Sequence, residues 1–274
     1  MHTLIRLLTA QPFFYNEGYR EVLPCETLAP YIRCFWGSTG PRLDQISDHS
    51  SLVVPDACMD LIFTANYTMN TFHASFCGIN DQPFYTLPKV SNHILSTFAI
   101  RFYPWAAACF ATDSMCEVKN QFLSGDSFFK PVVSPIIRRM EEGWGLYALI
   151  DLAQQLLLAN FHTLSNESRF FCTVHTLLAQ TGKISIPTLA SEQGISTRQL
   201  ERIFLQNAGI APKALHTLFR YQKVLEEALF SPVMNIQETV YKYGYTDQSH
   251  LLREFKRFHT MTPAESRIFA LQHR

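Results

Sequence analysis

What the chain lacks already excludes several classes of protein. No apolar run reaches the roughly eighteen residues that a membrane-spanning helix requires, and the N-terminus shows no cleavable signal pattern. We therefore expect a soluble, cytoplasmic protein with no membrane partner. The seven cysteines are an odd number, and Cys25, Cys34, Cys58, Cys77, Cys109, Cys116 and Cys172 follow no short repeated spacing. They read as reduced thiols and not as a disulfide framework. No His-x-His pair occurs, although His49, His73, His93, Cys58 and Cys77 fall in one stretch, so neither a metal nor another cofactor is expected. No reactive-cysteine motif stands out either. If Cys109 and Cys116 share one helix they lie on one face about 10 Å apart, too far to bridge.

Net charge is missing as well: 23 Lys and Arg balance 23 Asp and Glu, which by itself argues against a nucleic-acid partner. The charges are segregated, however. Residues 167–274 hold 13 basic against 9 acidic side chains, a balance of +4, and residues 1–166 hold 10 against 14, a balance of −4. At 274 residues, 47% of them hydrophobic, the chain is long enough for two cores, and we place one domain at 1–160 and another at 167–274.

The basic part carries a degenerate repeat. Leu189, Ala190, Gly194, Ile195, Ser196, Leu200, Arg202, Phe204, Gly209 and Pro212 are answered about fifty positions later by Val240, Gly244, Tyr245, Leu251, Arg253, Phe255 and Pro263. From the turn glycine, Leu, Arg, Phe and Pro fall at +6, +8, +10 and +18 in the first unit and at +7, +9, +11 and +19 in the second, whose turn is one residue longer. Ordered matches at one offset indicate two copies of a supersecondary unit. In the first copy a short helix over 188–193 ends at Gly194, where the chain leaves through a left-handed conformation. Ser196 caps the next helix, assisted by Gln199 or Glu201. Leu200, Ile203 and Phe204 share its inner face and leave Thr197, Arg198, Glu201, Arg202 and Leu205 outward. In the second copy Ile236, Val240 and Tyr243 form the inner face of the short helix. Thr246 or Asp247 caps its successor, in which Leu251, Leu252, Phe255 and Phe258 alternate with Gln248, Ser249, Arg253, Lys256 and Arg257. Arginine, glutamine and serine are the residue types that hydrogen-bond base edges in the major groove. The repeat thus reads as two helix-turn-helix units facing double-stranded DNA.

This stretch, over residues 170–267, resembles the double helix-turn-helix domain of AraC/XylS-type transcription regulators. The most specific part begins at Ile236 and runs from Gly244 through Leu251 to Arg253, Phe255, Lys256 and Arg257, closing at Met261, Thr262, Pro263, Ala264, Glu265, Ser266 and Arg267. The resemblance implies that a helix over Pro212–Phe230 joins the units, and that their second helices enter successive major-groove segments about 34 Å apart. It implies base contacts from Arg198, Glu201, Arg202, Gln248, Ser249 and Arg253. Phosphate contacts would come from Ser196, Thr197, Thr246, Asp247, Lys256 and Arg257. By the same resemblance RNA polymerase is a partner at a promoter site, and activation is favoured over repression. Two departures stand out: Val240 replaces the usual alanine and Thr260 the usual glycine, so threonine must turn the chain without glycine's freedom.

The first 160 residues read differently. Short strands are expected at 35–36, 52–54, 60–64, 72–77 and 94–102, parted by Gly, Pro, Asn and Asp. A helical pattern begins near Pro104, with clear helices over 145–161 and 168–180. The fold class is therefore α+β in two domains: a β-barrel or sandwich with helices, then an all-α part. This layout resembles the cupin-like sensor domains that precede the DNA-binding part in many AraC-type regulators. Trp36, Phe63, Phe76, Phe98 and Phe102, with Asp60 and Arg101 nearby, line such a barrel as a pocket for a small effector, or else form its ordinary core. Strand alternation puts Arg101 and Phe102 on opposite faces, so they cannot both line one pocket. The stripe Leu149, Leu152, Ala153, Leu156 and Leu157 pairs two copies of the chain or packs on the barrel. Two readings compete with a ligand-sensing regulator. One is a DNA-binding module fused to a metal- or cysteine-dependent enzyme, and the other a regulator whose front domain binds only a protein.

Overall fold

The computed structural model describes residues 7–8, 19–43, 52–85 and 92–272. Strands β1 (Tyr19–Val22), β2 (Ile32–Ser38), β3 (Arg42–Leu43), β4 (Leu52–Val53), β5 (Met59–Asn66), β6 (Thr71–Cys77), β7 (Phe84–Tyr85), β8 (Ile94–Phe102) and β9 (Phe122–Ser124) make up the front part. Seven of them form an antiparallel sheet ordered β1-β2-β8-β5-β6-β9, with β3 also on β8, and β4 pairs with β7 in a second, smaller sheet. β1 and β9 end the order without pairing to each other.

Alternation along β5 explains how the large sheet sits. Met59, Leu61, Phe63 and Ala65 are fully buried, whereas Asp60, Ile62, Thr64 and Asn66 are half-buried, so one face of the two-residue period meets the core. Helix α1 (Gly125–Glu141) covers that face, followed by α2 (Leu146–Ala159). The expected helix onset near Pro104 is corrected: residues 104–121 are turns and one short 3-10 helix at Ala107–Cys109, so Cys109 and Cys116 share no helix. α1 itself escapes the pattern because Pro131 and Pro135 lie inside it and its backbone breaks from helical geometry at Phe129. The α2 stripe turns inward. Leu149, Ala153 and Leu157 are buried in the core, which removes them as a pairing surface.

Seven helices follow: α3 (Glu167–Ala179), α4 (Ile186–Glu192), α5 (Thr197–Ala208), α6 (Pro212–Phe230), α7 (Ile236–Lys242), α8 (Gln248–His259) and α9 (Pro263–Gln272). The 19-residue α6, roughly 28 Å long at 1.5 Å per residue, buries Leu215, Leu218, Phe219, Tyr221, Val224 and Leu225 between the two repeats. Phe204 of α5 meets Phe170 of α3 edge-on at 5.1 Å, and Phe255 and Phe258 of α8 close on Tyr221 at 5.4 and 5.0 Å. One continuous apolar cluster links the front part to the helical part.

Candidate nucleic-acid interface

Each repeat builds a helix with one packed and one polar side, and the caps set where it starts. Ser196 Oγ accepts from the Gln199 backbone N–H at 3.2 Å, while Gln199 Oε1 accepts from the Ser196 N–H at 3.0 Å, so two N–H groups without helical partners are satisfied together. In the second unit the cap is Asp247, whose Oδ1 accepts from His250 N at 2.7 Å. The side-chain oxygens of Ser196 and Asp247 are thereby committed to their own helices. The turn glycines Gly194 and Gly244 have φ of +64° and +65°, as a left-handed exit requires.

On α5 the core takes Leu200, Ile203, Phe204 and Ala208, and solvent takes Thr197, Arg198, Glu201 and Arg202. On α8 the core takes Leu251, Phe255, Phe258 and His259, leaving Gln248, Ser249, Arg253, Lys256 and Arg257 exposed. Arg253 Nε donates to the Ser249 carbonyl at 3.2 Å, which lays the guanidinium along the helix surface beside Ser249. Thr246 Oγ1 lies 3.1 Å from His250 Nδ1. All twelve positions assigned by resemblance are exposed at the two helices and their N-terminal turns.

Inward residues that the repeat did not flag hold α8 in place. Arg220 of α6 makes a two-pronged ion pair with Glu254, through Nε to Oε1 at 2.9 Å and Nη2 to Oε2, and its guanidinium stacks 4.2 Å over Tyr245. Tyr245 OH donates to the same carboxylate at 2.8 Å. Burial disfavours the Arg220 charge, but the Glu254 bonds outweigh it and raise its pKa. Glu227 does the same for α7: it accepts from Thr239 Oγ1 at 2.8 Å, Lys242 Nζ at 2.6 Å and Tyr243 OH at 3.0 Å. The visible signal in the sequence was the charged pair of positions on otherwise apolar faces, too common to single out.

In the front part the five aromatics do not gather around one space. Phe63, Phe76, Phe98 and Phe102 have no exposure and stack on one another and on Phe129 of α1. Trp36 lies on the opposite face of the sheet, where its Nε1 donates to Asp60 Oδ1 at 2.9 Å. Arg101 is buried on that same face, clamps Asp60 with Nε and Nη2 at 2.9 and 3.0 Å, and sits 5.5 Å from the Trp36 ring centre. Burial pushes the Cys34, Cys77 and Cys109 thiols up to about 12, which keeps them protonated and weakly nucleophilic at neutral pH. Among the described residues no three His, Cys, Asp or Glu side chains gather as a metal site, and no helix is long and apolar enough to cross a membrane. His49 lies outside the described residues.

The front part touches α5, α6 and α8. Met115 N donates to the Gln206 carbonyl of α5 at 2.9 Å, and a side-chain carbon at Gly209 would stand 2.5 Å from the Met115 carbonyl. Gln222 of α6 accepts from Leu8 N at 2.8 Å and donates to the Pro55 carbonyl at 2.6 Å. Asp81, already bound by Lys119 at 3.0 Å, lies 3.8 Å from Arg257 of α8.

A doubled helix-turn-helix with exposed, partly basic second helices defines a DNA-binding protein, and residues 189–267 match the family model described as a helix-turn-helix domain. More narrowly, that match falls within the stretch over which the sequence resembles AraC-type regulators. Residues 20–124 match a domain of unknown function (DUF6597). No curated protein matches the chain. Among solved structures it is similar to a transcriptional regulator with an AraC-type DNA-binding domain from Chromobacterium violaceum, with 22% identity, 39% of this chain and 96% of that one covered, and a TM-score of 0.36. It is also similar to the DNA-binding domain of AdpA, a global transcriptional factor, in complex with a target DNA, with 21% identity, 39% and 95% covered, and a TM-score of 0.36. ToxT from Vibrio cholerae aligns over 86% of this chain and 98% of its own at 11% identity, with a TM-score of 0.42.

Proposed function

We propose that the chain is a sequence-specific activator of transcription that reads two successive major-groove segments of a promoter site with α5 and α8. The observation that carries this reading is the matched pair of capped helices. Each presents an arginine two residues before a buried phenylalanine, Arg202 before Phe204 and Arg253 before Phe255. Arg198, Glu201, Arg202, Gln248, Ser249 and Arg253 read bases, Glu201 by accepting from a cytosine amino group. Thr197, Thr246, Lys256 and Arg257 hold phosphates, while Ser196 and Asp247 act as caps. The domains are 1–160 and 167–274, and the front one senses a small effector, pairs with a second copy, or does both. Its partly accessible sheet face at Trp36 and Asp60, backed by the buried Arg101, suits a ligand better than the closed phenylalanine core does. RNA polymerase is the second macromolecular partner.

Selection of bound sites from a random DNA pool by the full-length protein tests the reading. Two short blocks about ten base pairs apart are expected, and a single block would show that only one helix reads bases. Within the selected site Arg253→Ala is expected to weaken specific binding by about 1–3 kcal/mol and to relax one base pair, whereas Lys256→Ala weakens all sequences alike and lowers the salt slope by about 1. An Arg253→Ala protein with unchanged affinity at fixed salt would remove α8 as a reader.

A further inference from the structure

We propose that Leu205 reads the methyl group of a thymine in the block bound by α5, an inference that rests on the DNA-reading function above. Leu205 is 41% exposed and is the sole exposed large hydrophobic on either α5 or α8 among the described residues. At about 100° per residue it lies about 20° from Arg198 and between Glu201 and Arg202, at the middle of the outward stripe and away from Leu200, Ile203 and Phe204.

The internal repeat sharpens the point. Counting from the turn glycines, and allowing for the longer second turn, Leu205 occupies the place of Lys256. Where the second unit presents an exposed cation to the duplex, the first presents a branched alkyl group with no donor, acceptor or charge. Exposed leucines scattered singly over a surface are ordinary. This one interrupts a stripe that is otherwise wholly polar on a helix whose outward side faces the groove. The major groove offers such a group one apolar partner, the C5 methyl of thymine, which marks an A·T pair by contact. Arg198, Glu201 and Arg202 would then supply polar readout on either side of an apolar contact.

The test replaces thymine by deoxyuridine, which deletes the methyl and nothing else, one position at a time across the block that Arg202→Ala relaxes in the selected site. With the full-length protein, one replacement is expected to weaken binding about fourfold, the value of one buried methyl group. Leu205→Ala is expected to bind the thymine and deoxyuridine versions of that site equally, and 5-methylcytosine at the same position is expected to recover part of the wild-type affinity. Leu205→Lys, which installs the second unit's residue, is expected to lose the thymine preference while gaining affinity for all sequences. Uniform insensitivity of the wild type to deoxyuridine overturns the inference, as does a deoxyuridine penalty that persists undiminished in Leu205→Ala. If no site is enriched from the pool, the DNA-reading function fails first and this inference falls with it.

Discussion

His259 faces inward from α8, on the side opposite the exposed polar residues. It has no exposure, and it bridges Tyr221 OH at Nδ1 and Ser266 Oγ at Nε2, each at 2.8 Å. A neutral ring meets this geometry, since one nitrogen donates and the other accepts. Burial lowers its pKa from the ordinary 6.5 to about 4. The folded state therefore resists a proton that the unfolded chain accepts, so the contribution is complete above pH 6.5 and is lost as pH falls toward 4. Between pH 7 and 5 the cost is about 2 kcal/mol. Urea midpoints at those two pH values, for the wild type and His259→Gln, check this. A variant that keeps the full acid sensitivity of the wild type would assign that sensitivity to other groups.

At the scale of single elements, the ends of α5 and α8 differ more than their middles. α5 stops at Gly209 with φ +66°, and α8 stops at Thr260 with φ +65°, so a β-branched residue sits in the left-handed region in the second unit. Such a residue there is disfavoured by about 1 kcal/mol or more. Thr260 is exposed, and replacement leaves no cavity. Thr260→Gly is therefore expected to stabilise the helical part by about 1 kcal/mol and raise its melting temperature by about 4 °C, with unchanged affinity for the selected site. A lower melting temperature would mean that the threonine side chain holds the turn. The turn glycines, the caps and the alternation of Leu200, Ile203 and Phe204 were legible because local backbone demands and a helical period write them into nearby residues. α1 was not legible, because Pro131 and Pro135 mask a helix whose Val132, Val133 and Ile136 are held by the sheet. Nor was the isolation of Trp36 from Phe63, Phe76, Phe98 and Phe102. Alternation separates neighbours on one strand, but which residues of different strands share a face depends on a register set at long range.

At the scale of the whole molecule, the front part touches α5, α6 and α8 at once, so its position and the spacing of α5 and α8 are linked. Gln222 is the most buried of these links. With no exposure, it satisfies the N–H of Leu8 and the carbonyl of Pro55, two groups from distant stretches of the chain. Replacing it by leucine keeps the volume and deletes both partners. The Leu8 N–H and the Pro55 carbonyl then stay buried and unbonded, at about 2–4 kcal/mol together. The helical part on its own is expected to fold as residues 167–274, because Phe170 with Phe204 and Tyr221 with Phe255 and Phe258 close its core from within. In that fragment Leu8 and Pro55 are gone and Gln222 meets water, so Gln222→Leu is expected to be neutral there within about 0.5 kcal/mol. Denaturation of the full chain and the fragment, each with and without the substitution, therefore separates two roles for one side chain. A loss confined to the full chain makes Gln222 the tie between the halves. An equal loss in both would place it in the core of the DNA-binding domain, and an insoluble fragment would show that the halves share a single core.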